Sequence, residues 1–188
     1  MIATDIDNTI CETTLTIWRR TEADLGLPPG SVPLPDAYDD QGSGFPDPDR
    51  AARLIRRRYD GLCTDTLLAC TVTPHARDVL ITLHRHGLFS GYVTRRPERE
   101  AHVTRTWLRA QGLPDAPVVH ATGNKADVLR DLGAHAIIED APHEAASVSV
   151  THRVALIRRP YNAHLTGPNI IPFRAWRHLP VRELLGPA

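Results

Sequence analysis

MIATDIDNTI (residues 1–10) begins with a short apolar stretch that reads as a strand, then sets Asp5 and Asp7 two residues apart, with Asn8 and Thr9 directly after. Two like charges at the tip of a buried strand need a reason. Aspartates commonly cap the start of a helix, and that is the plain structural reading of the pair. The remainder of the chain decides between this reading and a chemical one.

Beyond the opening strand, Leu15, Trp18 and Leu25, with Ala23 nearby, recur at helical spacing from Cys11 to about Gly26. Residues 26–48 break the pattern with Pro28, Pro29, Gly30, Pro33, Pro35, Gly42, Gly44, Pro46 and Pro48, which predicts a long ordered loop. Loops of this length inside compact domains are often functional. A second helix is predicted from Asp49 to Tyr59, carrying Arg50, Arg53, Arg56, Arg57 and Arg58 and stopping at Gly61. From Thr71 onward, helices alternate with short apolar strands. The strands are 88–94, 117–122, 134–138 and 153–157; the helices run from Pro74 to His86, from Pro97 to Gln111, from Lys125 to Leu132 and near His143 to Ala146. Residues 160–188, which contain prolines, resist assignment. The alternation predicts an α/β domain with a doubly wound, Rossmann-like parallel sheet covered on both faces. Residues 1–10 and 74–188 form the expected core, and residues 11–73 a small, mostly helical cap inserted after the first strand.

Ligands of such sheets bind beyond the carboxyl ends of the strands. The polar residues there are Asp5 to Thr9, then Thr94 with Arg95, then Lys125 after its turn, then Glu139 with Asp140. Carboxylates converging in one crevice repel one another unless a cation sits among them, and hard oxygen ligands suit Mg²⁺. Lys125 and Thr94 add a cation and a hydroxyl for an anion with several oxygens, which points to phosphate. An aspartate can then attack phosphorus, and a second can protonate the leaving oxygen and later deprotonate water. Arg95 and Arg96 are placed to steer or clamp phosphate, although charged loop residues are generally solvated.

Composition narrows the setting. Twenty-two basic and twenty-two acidic residues cancel, so no global field draws the chain to nucleic acid or an anionic membrane. Cys11, Cys63 and Cys70 are odd in number and lack C-x-x-C spacing, which argues against a disulfide framework or structural zinc. No apolar run reaches the ~20 residues of a membrane span, and Asp5 and Asp7 fall where a signal peptide would be apolar, so a cytoplasmic protein is expected. In the predicted cap, Trp18, Phe45 and Tyr59 read as core aromatics or, less commonly, as a stacking platform.

Asp5-Ile6-Asp7-Asn8-Thr9 matches the D-x-D-x-T signature of the haloacid dehalogenase superfamily, with Thr94, Lys125 and IIEDAPHEA (137–145) resembling its later motifs in order across nearly the whole chain. The resemblance implies a Mg²⁺-dependent phosphomonoesterase in which Asp5 is the nucleophile and Asp7 the general acid/base. Thr94 and Lys125 would hold phosphate. Asp5, the Asp7 backbone carbonyl and Asp140 would hold the metal, with Glu139 an alternative ligand where relatives often have aspartate. Within the superfamily the chain resembles the 5'(3')-deoxyribonucleotidase-like group in its cap insertion, TVTPHARDVL (71–80), VTRRP (93–97) and RRPYNAH…FRAW (158–176). That resemblance implies a nucleoside monophosphate as substrate. A polynucleotide 3'-phosphatase and a non-hydrolytic phospho-aspartate signalling module are the competing functions; zero net charge weighs against the first, and the D-x-D spacing and the insertion against the second.

Overall fold

The computed structural model describes residues 1–60 and 64–186, so the expected stop at Gly61 and the third cysteine, Cys63, lie outside the described residues. Six strands form one parallel sheet: β1 (Ile2–Thr4), β2 (Phe89–Thr94), β3 (Val118–His120), β4 (Ala136–Glu139), β5 (Arg153–Ile157) and β6 (Ile170–Phe173). Their spatial order is β3-β2-β1-β4-β5-β6. The winding reverses on either side of β1, which pairs with β2 and with β4. A crevice opens at such a reversal, beyond the carboxyl ends of the strands. The residue that enters it from β1 is Asp5.

The sheet is covered on both faces because its strands are apolar at most positions rather than at alternate ones. Ile2, Ala136, Ile138, Ala155 and Ile157 face one side, packing with Leu80, Leu83, Trp107 and Leu108. Ala3, Ile137, Val154 and Leu156 face the other, against Leu129, Ala145 and Val148. This period-two division assigns the helices to their faces. Helices α4 (Ala76–Arg85) and α5 (Ala101–Ala110) cover the first face, α6 (Lys125–Asp131) and α7 (Pro142–Val148) the second. In β2, Gly91 has φ +147°, and a Cβ there would stand 2.6 Å from the Pro117 carbonyl oxygen, so the approach of the next strand requires glycine.

Between β1 and α4 lie α1 (Thr13–Asp24), α2 (Pro48–Asp60) and α3 (Thr64–Ala69), with no helix or strand from 25 to 47. The helical insertion expected after the first strand is present and packs a core of its own from Ile17, Trp18, Val32, Phe45, Ala51 and Ile55. Trp18 and Phe45 are buried there with ring centroids 5.7 Å apart, which makes them core rather than platform. Helices α3 and α8 (Val181–Leu185) and strand β6 went unread in the sequence. Helix α3 is only six residues long, and β6 lies in the proline-containing tail, where Pro172 is tolerated because β6 is an edge strand paired only with β5. Among the described residues no helix is long and apolar enough to cross a membrane, and Cys11 and Cys70 are buried free thiols.

Candidate active site

The turn after β1 is shaped by one residue with unusual backbone angles. Asn8 has φ +56°, a left-handed conformation that asparagine tolerates better than other side chains, and its carboxamide oxygen accepts the Thr14 N–H at 2.8 Å. That bond satisfies a donor at the start of α1, whose flanking residue, Glu12, makes no side-chain cap. The turn leaves Asp5 and Asp7 in different surroundings.

Asp5 is buried beside Lys125, whose Nζ donates to Asp5 Oδ1 and to Glu139 Oε2, both at 2.7 Å. Lys125 is only 1 % exposed, placed by the first turn of α6, which Asn124 caps by accepting the Ala126 N–H. The second oxygen of Glu139 accepts the N–H groups of Asp140 and Ala141. Asp140 accepts from Thr9 Oγ1 at 2.9 Å and from the Tyr161 hydroxyl at 2.6 Å. One oxygen from each of Asp5, Glu139 and Asp140 lies within 4.8 Å of the others. Two of the three buried carboxylates thus share one ammonium, while Asp140 is held by neutral hydroxyls. Burial pushes the Asp5 carboxyl well above its usual range; Lys125 pulls it down, while Glu139, Asp140 and Asp7 push it further up. Asp140 is raised to about 7 by burial and by Glu139, against the donations from Tyr161 and Thr9. Burial opposes the charge on Lys125, but Asp5 and Glu139 outweigh it and hold the ammonium protonated.

Asp7 meets a different partner. Its two oxygens face the Arg96 guanidinium in a bidentate pair, 2.9 Å from Nε and 2.9 Å from Nη2, and Oδ1 also accepts from Thr13 Oγ1 at 2.5 Å. Burial alone would raise this carboxyl; Arg96 and the Thr13 hydroxyl reverse the direction and hold it below its usual value. Arg96 is 4 % exposed and lies over the Trp107 ring, 5.9 Å from its centroid. The general expectation that Arg96 is solvated is therefore corrected: a carboxylate and an aromatic face compensate its burial.

A cleft of about 430 Å³ opens over this cluster, lined on the core side by Asp5, Asp7, Lys125, Asp140 and Tyr161 and on the insertion side by Tyr38, Arg56 and Tyr59. No protein-family model matches the chain, and no curated protein matches it. Solved structures do. A HAD-superfamily hydrolase of subfamily IA from Geobacter sulfurreducens is 16% identical over 98% of this chain and 95% of its own, with a TM-score of 0.59. A family IA HAD hydrolase from Entamoeba histolytica is 13% identical over 98% and 96%, with a TM-score of 0.60. A predicted phosphoglycolate phosphatase from Haemophilus somnus is 13% identical over 94% of each chain, with a TM-score of 0.53. The fold is that of the haloacid dehalogenase (HAD) superfamily.

Within this HAD fold, Asp5, Lys125, Glu139 and Asp140 touch directly or through Thr9. Thr94 is fully buried at the end of β2, its hydroxyl accepting the Arg96 N–H at 3.1 Å. Arg95 lines the cleft, but its guanidinium donates to both Glu144 oxygens and to the carbonyls of Ala121 and Gly123, tying the loop before α6 to α7. Sequence reading overlooked the tail. Tyr161 donates to Asp140, Asn162 Nδ2 donates to the Asp140 carbonyl at 2.7 Å, Arg159 Nε donates to the Asn8 carbonyl at 3.0 Å, and Trp176 Nε1 donates to the Thr9 carbonyl at 3.0 Å. The similarity of 158–176 to one family group was the only signal for these contacts, and it carried no roles.

Proposed function

We propose that the chain is a Mg²⁺-dependent phosphomonoesterase acting through an aspartyl-phosphate on Asp5, with a small phosphorylated metabolite, foremost a nucleoside monophosphate, as substrate. The observation that carries this reading is the cluster of Asp5, Glu139 and Asp140 around a buried Lys125, placed where the parallel sheet reverses its winding and open to the cleft. The neighbouring HAD structures named above include a predicted phosphatase, which agrees with it.

The donor set fits a hard divalent cation. The carboxylates are crowded and buried, and burial first, then their mutual repulsion, raises Asp5 and Asp140. In this reading Asp5 and Asp140, with the Asp7 carbonyl, are the ligands, and Glu139, which bonds Lys125 and the Asp140 and Ala141 N–H groups, orients the lysine. A bound Mg²⁺ would neutralise charge on the phosphoryl oxygens.

The Asp5 carboxylate attacks phosphorus, the ester P–O bond breaks, and the leaving oxygen takes its proton from Asp7. Water, deprotonated by Asp7, then attacks the aspartyl-phosphate; phosphate leaves and Asp5 is restored. Lys125 holds the phosphoryl group, with Arg95 at the rim; Thr94, expected beside it, is fully buried and is not among the residues lining the cleft. Asp7 is ionised while it faces Arg96, so carrying a proton requires its carboxylate to leave that guanidinium, and Arg96 sets its resting place. The test is phosphate release from nucleoside monophosphates, sugar phosphates and a 3'-phosphorylated oligonucleotide, with and without EDTA. Release that stops on metal removal and in Asp5→Asn is expected; near-normal kcat in Asp5→Asn with p-nitrophenyl phosphate would overturn the nucleophile assignment.

A further inference from the structure

The segment from 25 to 47 has no regular structure, yet it is fixed on both sides of its middle. Before it, the buried Glu22 carboxylate accepts the N–H groups of Gly30 and Val32 at 2.9 and 2.8 Å, and Trp18 Nε1 donates to the Pro33 carbonyl at 3.0 Å. After it, the Asp40 carboxylate closes a turn by accepting the N–H groups of Gly42 and Ser43. Gly42 itself has φ +101°, and a Cβ there would stand 2.9 Å from Ile55 Cδ1, so the turn seats on α2 only with glycine. A chain held on both sides presents the residues between at a set place.

The residue presented is Tyr38. Its ring stands edge-on to Tyr161, with centroids 5.4 Å apart, and to His143, 5.1 Å apart, so the insertion reaches across to the core beside the acidic cluster. Tyr38 lines the same cleft as Asp5, Lys125 and Asp140, and its hydroxyl has no hydrogen-bond partner among the described residues. Neighbouring hydroxyls differ. Tyr161 is bonded to Asp140, and Tyr59 to Thr14. Tyr38 is 47 % exposed; partial desolvation and the charges of Asp140, Glu139 and Asp5 raise its phenol further, so it stays protonated and a donor.

We propose that Tyr38 contacts the substrate, its hydroxyl donating a hydrogen bond to a phosphoryl oxygen of the bound monoester and its ring closing the cleft from the insertion side. This role rests on the phosphatase reading. It differs from a packing role, because Tyr38→Phe keeps both ring contacts and removes only the donor.

The experiment is calorimetric titration of the full chain with inorganic phosphate in the presence of Mg²⁺, paired with p-nitrophenyl phosphate kinetics. Tyr38→Phe is expected to bind phosphate about tenfold more weakly, the scale of one hydrogen bond to a charged acceptor. KM should rise by a similar factor with kcat little changed, as for binding shared by ground and transition states. Unchanged phosphate affinity in Tyr38→Phe would overturn the contact while leaving the phosphatase reading intact. Wild-type protein that binds no phosphate would overturn both.

Discussion

Lys125→Met offers a direct measure of the charge balance in the cluster. Methionine has nearly the length of lysine, so the change leaves little cavity and chiefly deletes the ammonium. Two ion pairs of 2.7 Å are lost, and Asp5 and Glu139 stay buried without it. Removing one partner of a buried pair costs about 3–5 kcal/mol. For a domain of this size that corresponds to a fall in Tm of roughly 6–20 °C. The loss depends on pH with a definite sign. Lys125 is the group that pulls the raised Asp5 carboxyl down, so its removal lifts that carboxyl further above its unfolded value. A folded state that binds more protons than the unfolded one loses stability as pH rises from the unfolded carboxylate pKa, about 4, toward the raised folded value. Because Asp5 is raised in the wild type too, the deficit opens as pH rises through the wild-type folded value toward the variant's higher one, and is therefore smaller at low pH than at neutral pH. Urea unfolding followed by circular dichroism at pH 4.5 and pH 7.5, without divalent cations, reads it. A deficit below about 1 kcal/mol at pH 7.5, or one equal at both pH values, would refute the idea that Lys125 compensates buried carboxylates.

Glu22→Gln probes the insertion. Burial pushes the Glu22 carboxyl up, but the Gly30 and Val32 N–H groups and Arg19 more than offset this and hold it below its usual value. Its stabilisation is thus present above the unfolded pKa and lost as pH falls through the lower folded one. The glutamine variant should lose about 1.5–3 kcal/mol at neutral pH and show a flatter stability profile below pH 5, measured by urea unfolding across pH. Asn162→Ala removes the donor to the buried carbonyls of Asp140 and Ile157. It is expected to cost about 2–4 kcal/mol and to lower phosphate release even at temperatures where the fold is intact, as thermal melts and turnover assays together would show.

The strands were legible where apolar runs were bounded by turn residues, as in 88–94 and 153–157, because burial on both faces of a parallel sheet removes any need for polar positions. Strand IIPF (170–173) was not, since an edge position admits a proline that in a central strand would argue against the assignment. Helix α3 was too short to show a period. At the site, residues at strand tips could be ordered from sequence, because strand ends share one rim. The pairing of Arg96 with Asp7 joins positions 89 apart and has no local signature; an arginine followed by proline reads as a solvated loop until its partner is seen. The same holds for Tyr38, whose place depends on anchors at Glu22, Trp18 and Asp40 rather than on any motif.

The contact between Trp176 and the Thr9 carbonyl spans 167 positions. A ribosome delivers the D-x-D segment before the residues that brace it, and chains generally begin folding from the N-terminal side during synthesis. The turn carrying Asp5 and Asp7 thus emerges long before Arg159, Tyr161, Asn162 and Trp176 exist to hold Asn8, Asp140 and Thr9. Maturation of the site is then a late event in the life of the molecule. A chain that has formed β1, β2 and β4 but lacks residues 159–176 would carry the acidic residues without the contacts that hold them in place.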